Sequence, residues 1–454
     1  MKKLTEMSIK EAVIRTAFPA ILSHLFIVAY EMVDLFWLDK LGYSEVFASL
    51  GAASFITWSL YSIMHVIIAG VTSYTSRYRG ANNEEGYSLV TFEGFIYAAF
   101  LSFFITFVMH ITHVHIFRII GLTDGILTDA ALYFRAINLG FVVLFLYTLV
   151  SSVLNAHGYT KSSMYLQLFM LILNGIFDPF LILGFGGFPV LGIAGAAWAS
   201  VLARLIGLIA GVYLLFNKNL VNFKYFTKVL KMTHFAKIIK IGMPITLIHW
   251  IFAMVYPVIT VFITKIGNME ALGALNICHK IEGVAYFIAV GFAVSSSTLG
   301  GQHYGARNYS QVGGAVNTTV LFCSIILGVI SVLFVFVPEK LLGLIVSSPE
   351  IIFEGARYLR IIGYFEIFLG LEIVYEGGFT GLGKTYYPMI VSIPVTLFRI
   401  PLAYFFAFNL DMAETGLWWA ISITTLLKGL LIGGLFLYKT HQKRFDNGFN
   451  DVLT

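Results

Sequence analysis

The sequence predicts an all-α membrane protein with twelve transmembrane helices in two six-helix lobes, related by a pseudo-two-fold axis along the membrane normal. Composition, a series of long apolar stretches and an internal repeat support this prediction. Of the 454 residues, 58% are hydrophobic and 12% are charged, whereas an ordinary soluble domain has roughly a quarter charged residues. This composition excludes a soluble enzyme, a disordered chain and a nucleic-acid-binding protein, so the lipid bilayer is the expected environment.

Each apolar stretch is long enough to span the bilayer as a helix, and the strict two-residue alternation of a barrel strand is missing. The first six stretches lie near residues 13–38, 47–76, 87–113, 128–156, 162–186 and 192–217. The second six lie near residues 236–263, 271–301, 310–337, 351–380, 386–408 and 413–439. The sequence therefore predicts six spans in each half of the chain.

Basic residues in the connections predict the orientation. With both termini in the cytoplasm, the inward segments hold most of the Lys and Arg residues outside the spans. The outward loops then hold only Lys40, Arg118, Lys265 and Lys340. We therefore expect an integral, multi-pass protein of the plasma (inner) membrane with both termini cytoplasmic.

An internal repeat at an offset of 225 residues, which slips to 221 near the end, organises the chain. Pro19 corresponds to Pro244, and Gly80 corresponds to Gly305 at the same offset. The repeat predicts an N-lobe at 1–217, a linker at 218–240 and a C-lobe at 241–454, with the basic linker as a solvated cytoplasmic connector helix. Two parallel six-helix repeats suit a cavity that opens alternately to either side, which favours a transporter over a channel.

The first span contains ionisable residues, which are costly inside a membrane and therefore indicate function. Asp34 follows Pro19 on this span, and Tyr30 and Glu31 lie about one helical turn before Asp34. All three side chains can share one helix face. Pro19 removes a backbone hydrogen bond, so a hinge beside a buried acid is expected.

The fifth span, LILNGIFDPFLILG, places Asn174 one turn before Asp178 on the same helix face. Asp34 and Asp178 lie in the same half of the chain, where a six-helix bundle could bring them together. Two carboxylates with an amide oxygen and a tyrosine hydroxyl could hold Na⁺ or share a proton. The alternative for each acid is a structural hydrogen bond to a neighbouring helix.

Several stretches resemble the multidrug and toxic compound extrusion (MATE) family, with the DinF-like branch as the nearest. They are VAYEMVD and FWLDKLG in the first span, LNGIFDPFLILG, GIAGAAWAS and GQHYGARN. The resemblance implies that Pro19 is the hinge, that Tyr30, Asp34, Asn174 and Asp178 couple cation movement, and that Ser200 supplies a nearby hydroxyl. Glu31 departs from the pattern, because a neutral side chain is expected there.

In the C-lobe, the seventh span contains no acid and offers only His249. The missing acid supports cation coupling in the N-lobe. Glu372 and Glu376 lie one turn apart on the tenth span, so they and His249 are candidates for binding the transported compound. The alternative is a neutralised network in which Lys280 and Arg399 pair with acids such as Glu282.

The leading hypothesis is a cation-coupled antiporter, driven by H⁺ or Na⁺, that exports amphipathic and often cationic organic compounds by alternating access. The P-loop, nucleophile-elbow and zinc-protease motifs are absent from the sequence, so an ion gradient rather than ATP is expected to drive transport. We expect a monomer without a cofactor, a disulfide or a resident metal. A flippase for a lipid or lipid-linked sugar is the close alternative, and a membrane enzyme acting on lipids is a more distant one.

Overall fold

The computed structural model describes residues 3–42 and 45–441, and the regular structure in these ranges is helical. The first eight α-helices are α1 (Ile9–Asp39), α2 (Glu45–Gly80), α3 (Glu84–Ile119), α4 (Asp124–Leu139), α5 (Phe141–Ala156), α6 (Thr160–Leu183), α7 (Ile193–Asn217) and α8 (Phe235–Ile266). The remaining helices are α9 (Met269–Gly305), α10 (Tyr309–Phe336), α11 (Pro338–Gly343), α12 (Pro349–Gly363), α13 (Glu366–Gly381), α14 (Tyr386–Tyr404) and α15 (Ala413–His441). A short π-helical segment, Phe405–Asn409, follows α14.

Within the described ranges, ten helices are each long and apolar enough to cross a membrane. The predicted span at 128–156 is instead a pair, α4 and α5, bent by 51° at Gly140. A β-carbon at Gly140 would lie 2.1 Å from a methyl group of Val201 on α7. Glycine at the bend therefore allows the backbone to approach α7 closely.

The predicted span at 351–380 is also broken, into α12 and α13, with Tyr364 and Phe365 between them. At the repeat offset, Gly140 corresponds to Phe365. The equivalent spans of the two halves of the chain are therefore broken at equivalent positions. Each of these two predicted spans is therefore made of two shorter helices. A single glycine inside an apolar run gives little warning of such a bend.

The described residues group into two compact units. The C-terminal unit comprises those within Met1–Ile21, Ser76–Asn82 and Met243–Thr454, and the N-terminal unit comprises those within Leu22–Thr75 and Asn83–Gly242. The divisions within α1 and α8 fall just after Pro19 and just before Pro244. These two repeat-related helices therefore each contribute residues to both units, and each changes unit next to its proline.

Within the C-terminal unit, α2 and α9 cross through two glycines related by the repeat. A β-carbon at Gly80 would lie 2.0 Å from the carbonyl oxygen of Gln302, and one at Gly305 would lie 1.9 Å from that of Arg77. Arg77 and Gln302 are themselves equivalent positions of the repeat. The contact therefore has the two-fold character that the repeat predicts.

The start of α1 packs within the C-terminal unit against α9. The hydroxyl groups of Thr16 and Ser295 lie 2.6 Å apart and form a buried hydrogen bond. Gly291 lies against the backbone of Ile21, where a β-carbon would come within 2.6 Å of the Ile21 Cα. Close backbone packing thus holds α1 against α9 up to the residue where α1 passes into the other unit.

The segment predicted as the linker is mostly exposed, with a few buried residues. Its middle forms 3₁₀ turns over Phe223–Lys231, with Lys224, Lys228 and Lys231 exposed. His234, at the end of the linker, is 6% exposed. The linker is therefore anchored in the N-terminal unit just before α8 begins.

Candidate functional site

The N-terminal unit brings together polar side chains from α1, α6 and α7. The Tyr30 hydroxyl donates a hydrogen bond to Ser200 Oγ at 2.9 Å, and Ser200 Oγ donates to Asp34 Oδ2 at 3.5 Å. On α6, Asn174 Nδ2 donates to Asp178 Oδ1 at 3.1 Å. The carboxyl groups of Asp34 and Asp178 lie within electrostatic range of each other.

Helical spacing explains how each helix presents its pair. Tyr30 and Asp34, like Asn174 and Asp178, are separated by one turn and therefore lie on one face. Asn174 and Asp178 are fully buried, and Tyr30 is 3% exposed, whereas Asp34 is half-buried. Burial of two carboxyl groups in one apolar site is unfavourable unless a proton, a cation or donor groups neutralise them.

Three oxygen atoms of this cluster are buried without a hydrogen-bond donor among the described residues. They are Asp34 Oδ1, Asn174 Oδ1 and Asp178 Oδ2. Buried polar atoms are nearly always satisfied in folded proteins, so these three oxygens indicate a site for a species that the protein chain does not supply. Carboxylates can accept a proton, and both carboxylate and amide oxygens can coordinate a hard cation.

A comparison with known protein families identifies the chain. The family model described as MatE matches residues 19–180 and again residues 244–405. The second match begins at Pro244, the repeat equivalent of Pro19 at which the first begins, so the two matches are spaced by the offset of the internal repeat. The chain belongs to the MatE family.

Curated relatives agree with this assignment along nearly the whole length. The probable multidrug resistance protein NorM of Thermotoga maritima is 23% identical over 437 residues, covering 96% of this chain and 94% of that protein. The FAD transporter of Shewanella oneidensis is 22% identical over 429 residues, covering 94% of this chain and 94% of that protein. This MatE chain is therefore a multi-pass membrane transporter and not an enzyme.

A solved structure shares the fold of this MatE chain. It is described as the outward-facing conformation of a multidrug resistance MATE family transporter of the MOP superfamily. The TM-score is 0.89 at 20% identity, and the match covers 98% of this chain and 100% of the other. The predicted all-α membrane fold with two lobes and twelve spans is confirmed.

Ser200 and Glu31 are the remaining predicted residues of the N-terminal unit, and Pro19 belongs to the C-terminal unit. Ser200, placed by family resemblance alone, lies between Tyr30 and Asp34 and bonds to both. Glu31 has an exposed side chain but remains within electrostatic range of Asp34. Pro19 is buried within α1, which continues through it as one helix.

Sequence reasoning missed Arg204. This half-buried residue lies on α7 one turn after Ser200, and its guanidinium carbon stands 5.0 Å from the centre of the Tyr30 ring. It is also within electrostatic range of Asp34 and of the hydroxyl groups of Tyr61 and Tyr133. An arginine inside an apolar span is itself an indication of function, so the sequence contained the signal that identifies it.

In the C-terminal unit, the predicted partners of the acids need correction. Glu372 pairs with Lys428 of α15, with Oε1 and Nζ 2.6 Å apart, and not with Lys280, whose side chain is exposed. Arg399 donates from Nε to Thr424 Oγ1 at 2.8 Å. The two helices that carry Glu372 and Lys428 are distant in sequence, so local spacing could not predict this pair.

The other C-terminal candidates form looser contacts. His249 Nε2 lies 3.8 Å from Glu376 Oε1, and neither side chain is fully buried. Glu282 accepts a 2.8 Å hydrogen bond from the Tyr358 hydroxyl. Glu366, at the start of α13, is 1% exposed, and neither of its carboxyl oxygens has a hydrogen-bond partner among the described residues.

Proposed function

We propose that this transporter is a cation-coupled antiporter of the plasma membrane, with both termini cytoplasmic. It uses H⁺ or Na⁺ to export amphipathic, often cationic, organic compounds by alternating access. The observation that carries the proposal is the cluster of Asp34, Asn174 and Asp178, whose buried oxygens lack donors among the described residues. Cation binding there provides the charge neutralisation that the site requires.

We propose that residues 1–217 and 241–454 act as two lobes joined by the linker 218–240, and that Pro19 is the hinge. Support comes from the division of α1 between compact units just after Pro19. A proline within a helix removes one backbone hydrogen bond and so lowers the cost of bending at that point. Occupation of the site at Asp34 can then alter the packing of α1 beyond the hinge.

For the compound that is exported, we propose a contribution from Glu376 and His249, with Glu372 alongside. Glu372 is already paired with Lys428, so its charge is neutralised within the protein. Glu376 and His249 are partly exposed, 14% and 30% by side chain, and can therefore meet a cationic compound. We propose a monomer that needs no cofactor or nucleic-acid partner.

Efflux from proteoliposomes tests the proposal. The purified protein is reconstituted, and a cationic dye and an anionic dinucleotide are loaded in separate preparations under an imposed H⁺ gradient or an imposed Na⁺ gradient. We expect Asp34→Asn and Asp178→Asn each to abolish gradient-driven efflux, because each removes a cation-binding carboxylate. Asp39→Asn is the matched control, since Asp39 is an exposed carboxylate at the end of the same helix.

Two results would reject the proposal. One is wild-type efflux that does not respond to either gradient, which would exclude cation coupling. The other is full gradient-driven efflux in both asparagine variants at normal expression, which would remove the cluster from the mechanism. Loss of efflux in Asp39→Asn as well would attribute the effect to general damage of α1.

A further inference from the structure

Arg204 places a fixed positive charge next to the proposed coupling site. It follows Ser200 by one turn of α7, and Ser200 links Tyr30 to Asp34 through hydrogen bonds of 2.9 and 3.5 Å. The guanidinium stands over the Tyr30 ring at 5.0 Å, within range of a cation–π interaction. The geometry thus holds the charge on the Asp34 side of the cluster.

The groups within electrostatic range of Arg204 come from four other helices. Asp34 and Tyr30 lie on α1, Tyr61 on α2, Tyr133 on α4 and Tyr147 on α5. Asp34 is the acid among these groups, and Glu31 of α1 lies within electrostatic range of Asp34. An arginine remains charged in any protein environment, so this positive charge persists in every state of the site.

We propose that Arg204 is a resident counter-ion that excludes Na⁺ from the cluster and so makes the proton the coupling ion. The inference rests on the proposed function and specifies its ion. A sodium ion needs ionised carboxylates as ligands, and it would have to bind beside the fixed charge of Arg204. Arg204 lies within electrostatic range of Asp34, so its fixed positive charge opposes the binding of a second cation beside that carboxylate.

The donor set agrees with this assignment. Na⁺ is a hard cation that requires several oxygen ligands, as other hard cations do. The cluster supplies two carboxylates and one amide. The adjacent hydroxyl groups of Tyr30 and Ser200 already donate hydrogen bonds, and Arg204 stands over the Tyr30 ring.

Sodium binding to the purified protein tests the inference without any transport step. We expect Arg204→Gln and Arg204→Met to bind radioactive Na⁺ at least tenfold more tightly than the wild type, because each removes the competing charge. Arg204→Lys keeps the charge and should bind as weakly as the wild type. Arg135→Gln, which removes an exposed guanidinium from the same unit, is the matched control and should also match the wild type.

Thermal stability of the wild type in NaCl against choline chloride provides a measurement that needs no variant. We expect no sodium-specific rise in Tm, because a ligand that binds the folded state would stabilise it. Saturable wild-type Na⁺ binding equal to that of Arg204→Gln would overturn the inference. Unchanged Na⁺ binding in Arg204→Gln would also overturn it. If that variant lost efflux of the anionic dinucleotide but kept efflux of the cationic dye, Arg204 would instead bind the exported compound.

The two proposals fail in different experiments. If wild-type efflux is driven by a Na⁺ gradient, the antiport proposal stands and the role of Arg204 is rejected. If efflux responds to neither gradient, antiport itself is rejected, whatever the sodium-binding result. If the proton gradient alone drives efflux and Arg204→Gln gains Na⁺ binding, both proposals are supported.

Discussion

The ion pair between Lys428 and Glu372 is buried at both ends, with side chains only 3% and 9% exposed. Burial makes each charge depend on the other, since an isolated charge in an apolar interior carries a desolvation cost of several kcal/mol. Lys428 also lies 5.4 Å from the centre of the Phe252 ring, which gives the ammonium group a second favourable contact. Removal of one partner should therefore lower the stability of the protein much more than removal of both partners.

Lys428→Met is predicted to destabilise the protein by about 3–5 kcal/mol, because it leaves Glu372 as an unpaired buried charge. The double variant Lys428→Met with Glu372→Gln should recover much of this loss. Thermal or denaturant unfolding of the purified protein measures both. Arg360→Met is the control, since its partner Glu339 is half-exposed and the pair should contribute less than about 1 kcal/mol. Equal destabilisation by Lys428→Met and Arg360→Met would contradict this account.

At the same scale, local spacing predicted which residues within one helix share a face, and Tyr30 with Asp34 and Asn174 with Asp178 lie as expected. It could not predict contacts between helices, because those depend on how distant segments pack. Ser200 was therefore found only through family resemblance, and Lys428 was not found at all. Arg204 stood in an apolar span, but its neighbours on other helices could not be identified from sequence.

At the scale of elements, a buried carboxylate fixes the start of α8. Glu93 of α3, 1% exposed, accepts the His234 backbone N–H at 2.8 Å and the Tyr97 hydroxyl at 3.0 Å through Oε2. Its Oε1 accepts from the Thr233 hydroxyl at 3.2 Å and lies 3.1 Å from His234 Nδ1. An acid at a helix N-terminus satisfies free N–H groups and complements the helix dipole.

Glu93→Ala should destabilise the protein by about 2–3 kcal/mol, because it leaves the buried His234 N–H without an acceptor. Glu85→Ala is the matched control on the same helix. Glu85 also bonds to the linker, with Oε1 2.6 Å from Lys228 Nζ, but both side chains are about half-exposed. We expect its loss to cost less than about 1 kcal/mol. Unfolding of the two variants side by side tests whether a buried carboxylate, or any contact with the linker, stabilises the start of α8. A smaller loss of stability in Glu93→Ala than in Glu85→Ala would contradict the role given to Glu93.

At the scale of the whole molecule, the repeat is visible in sequence, in family match and in structure. The family model matches twice at the offset of the repeat, and α4–α5 and α12–α13 break at equivalent positions. The repeat therefore predicted the number of spans well. It could not predict the division of the described chain into compact units that exchange parts of α1, α2 and α8, because that exchange is a property of packing between segments far apart in sequence.

The two glycine contacts at the crossing of α2 and α9 are related by the repeat, so equivalent substitutions there should have similar effects. Gly80→Ala and Gly305→Ala each place a β-carbon so near a backbone carbonyl oxygen, at 2.0 and 1.9 Å, that backbone atoms must shift to relieve the contact. We expect each to destabilise by about 1–3 kcal/mol, as overpacking does, and to slow efflux. The two effects should be similar in size because the contacts are related by the repeat. Together they should be less than additive, since moving the helices apart relieves both contacts at once.

Gly51→Ala on α2 is the control, because its β-carbon would meet no other atom within 4 Å. Unfolding and efflux of the four variants decide the matter, and a large effect at Gly80 with none at Gly305 would show that the crossing is not symmetric in energy.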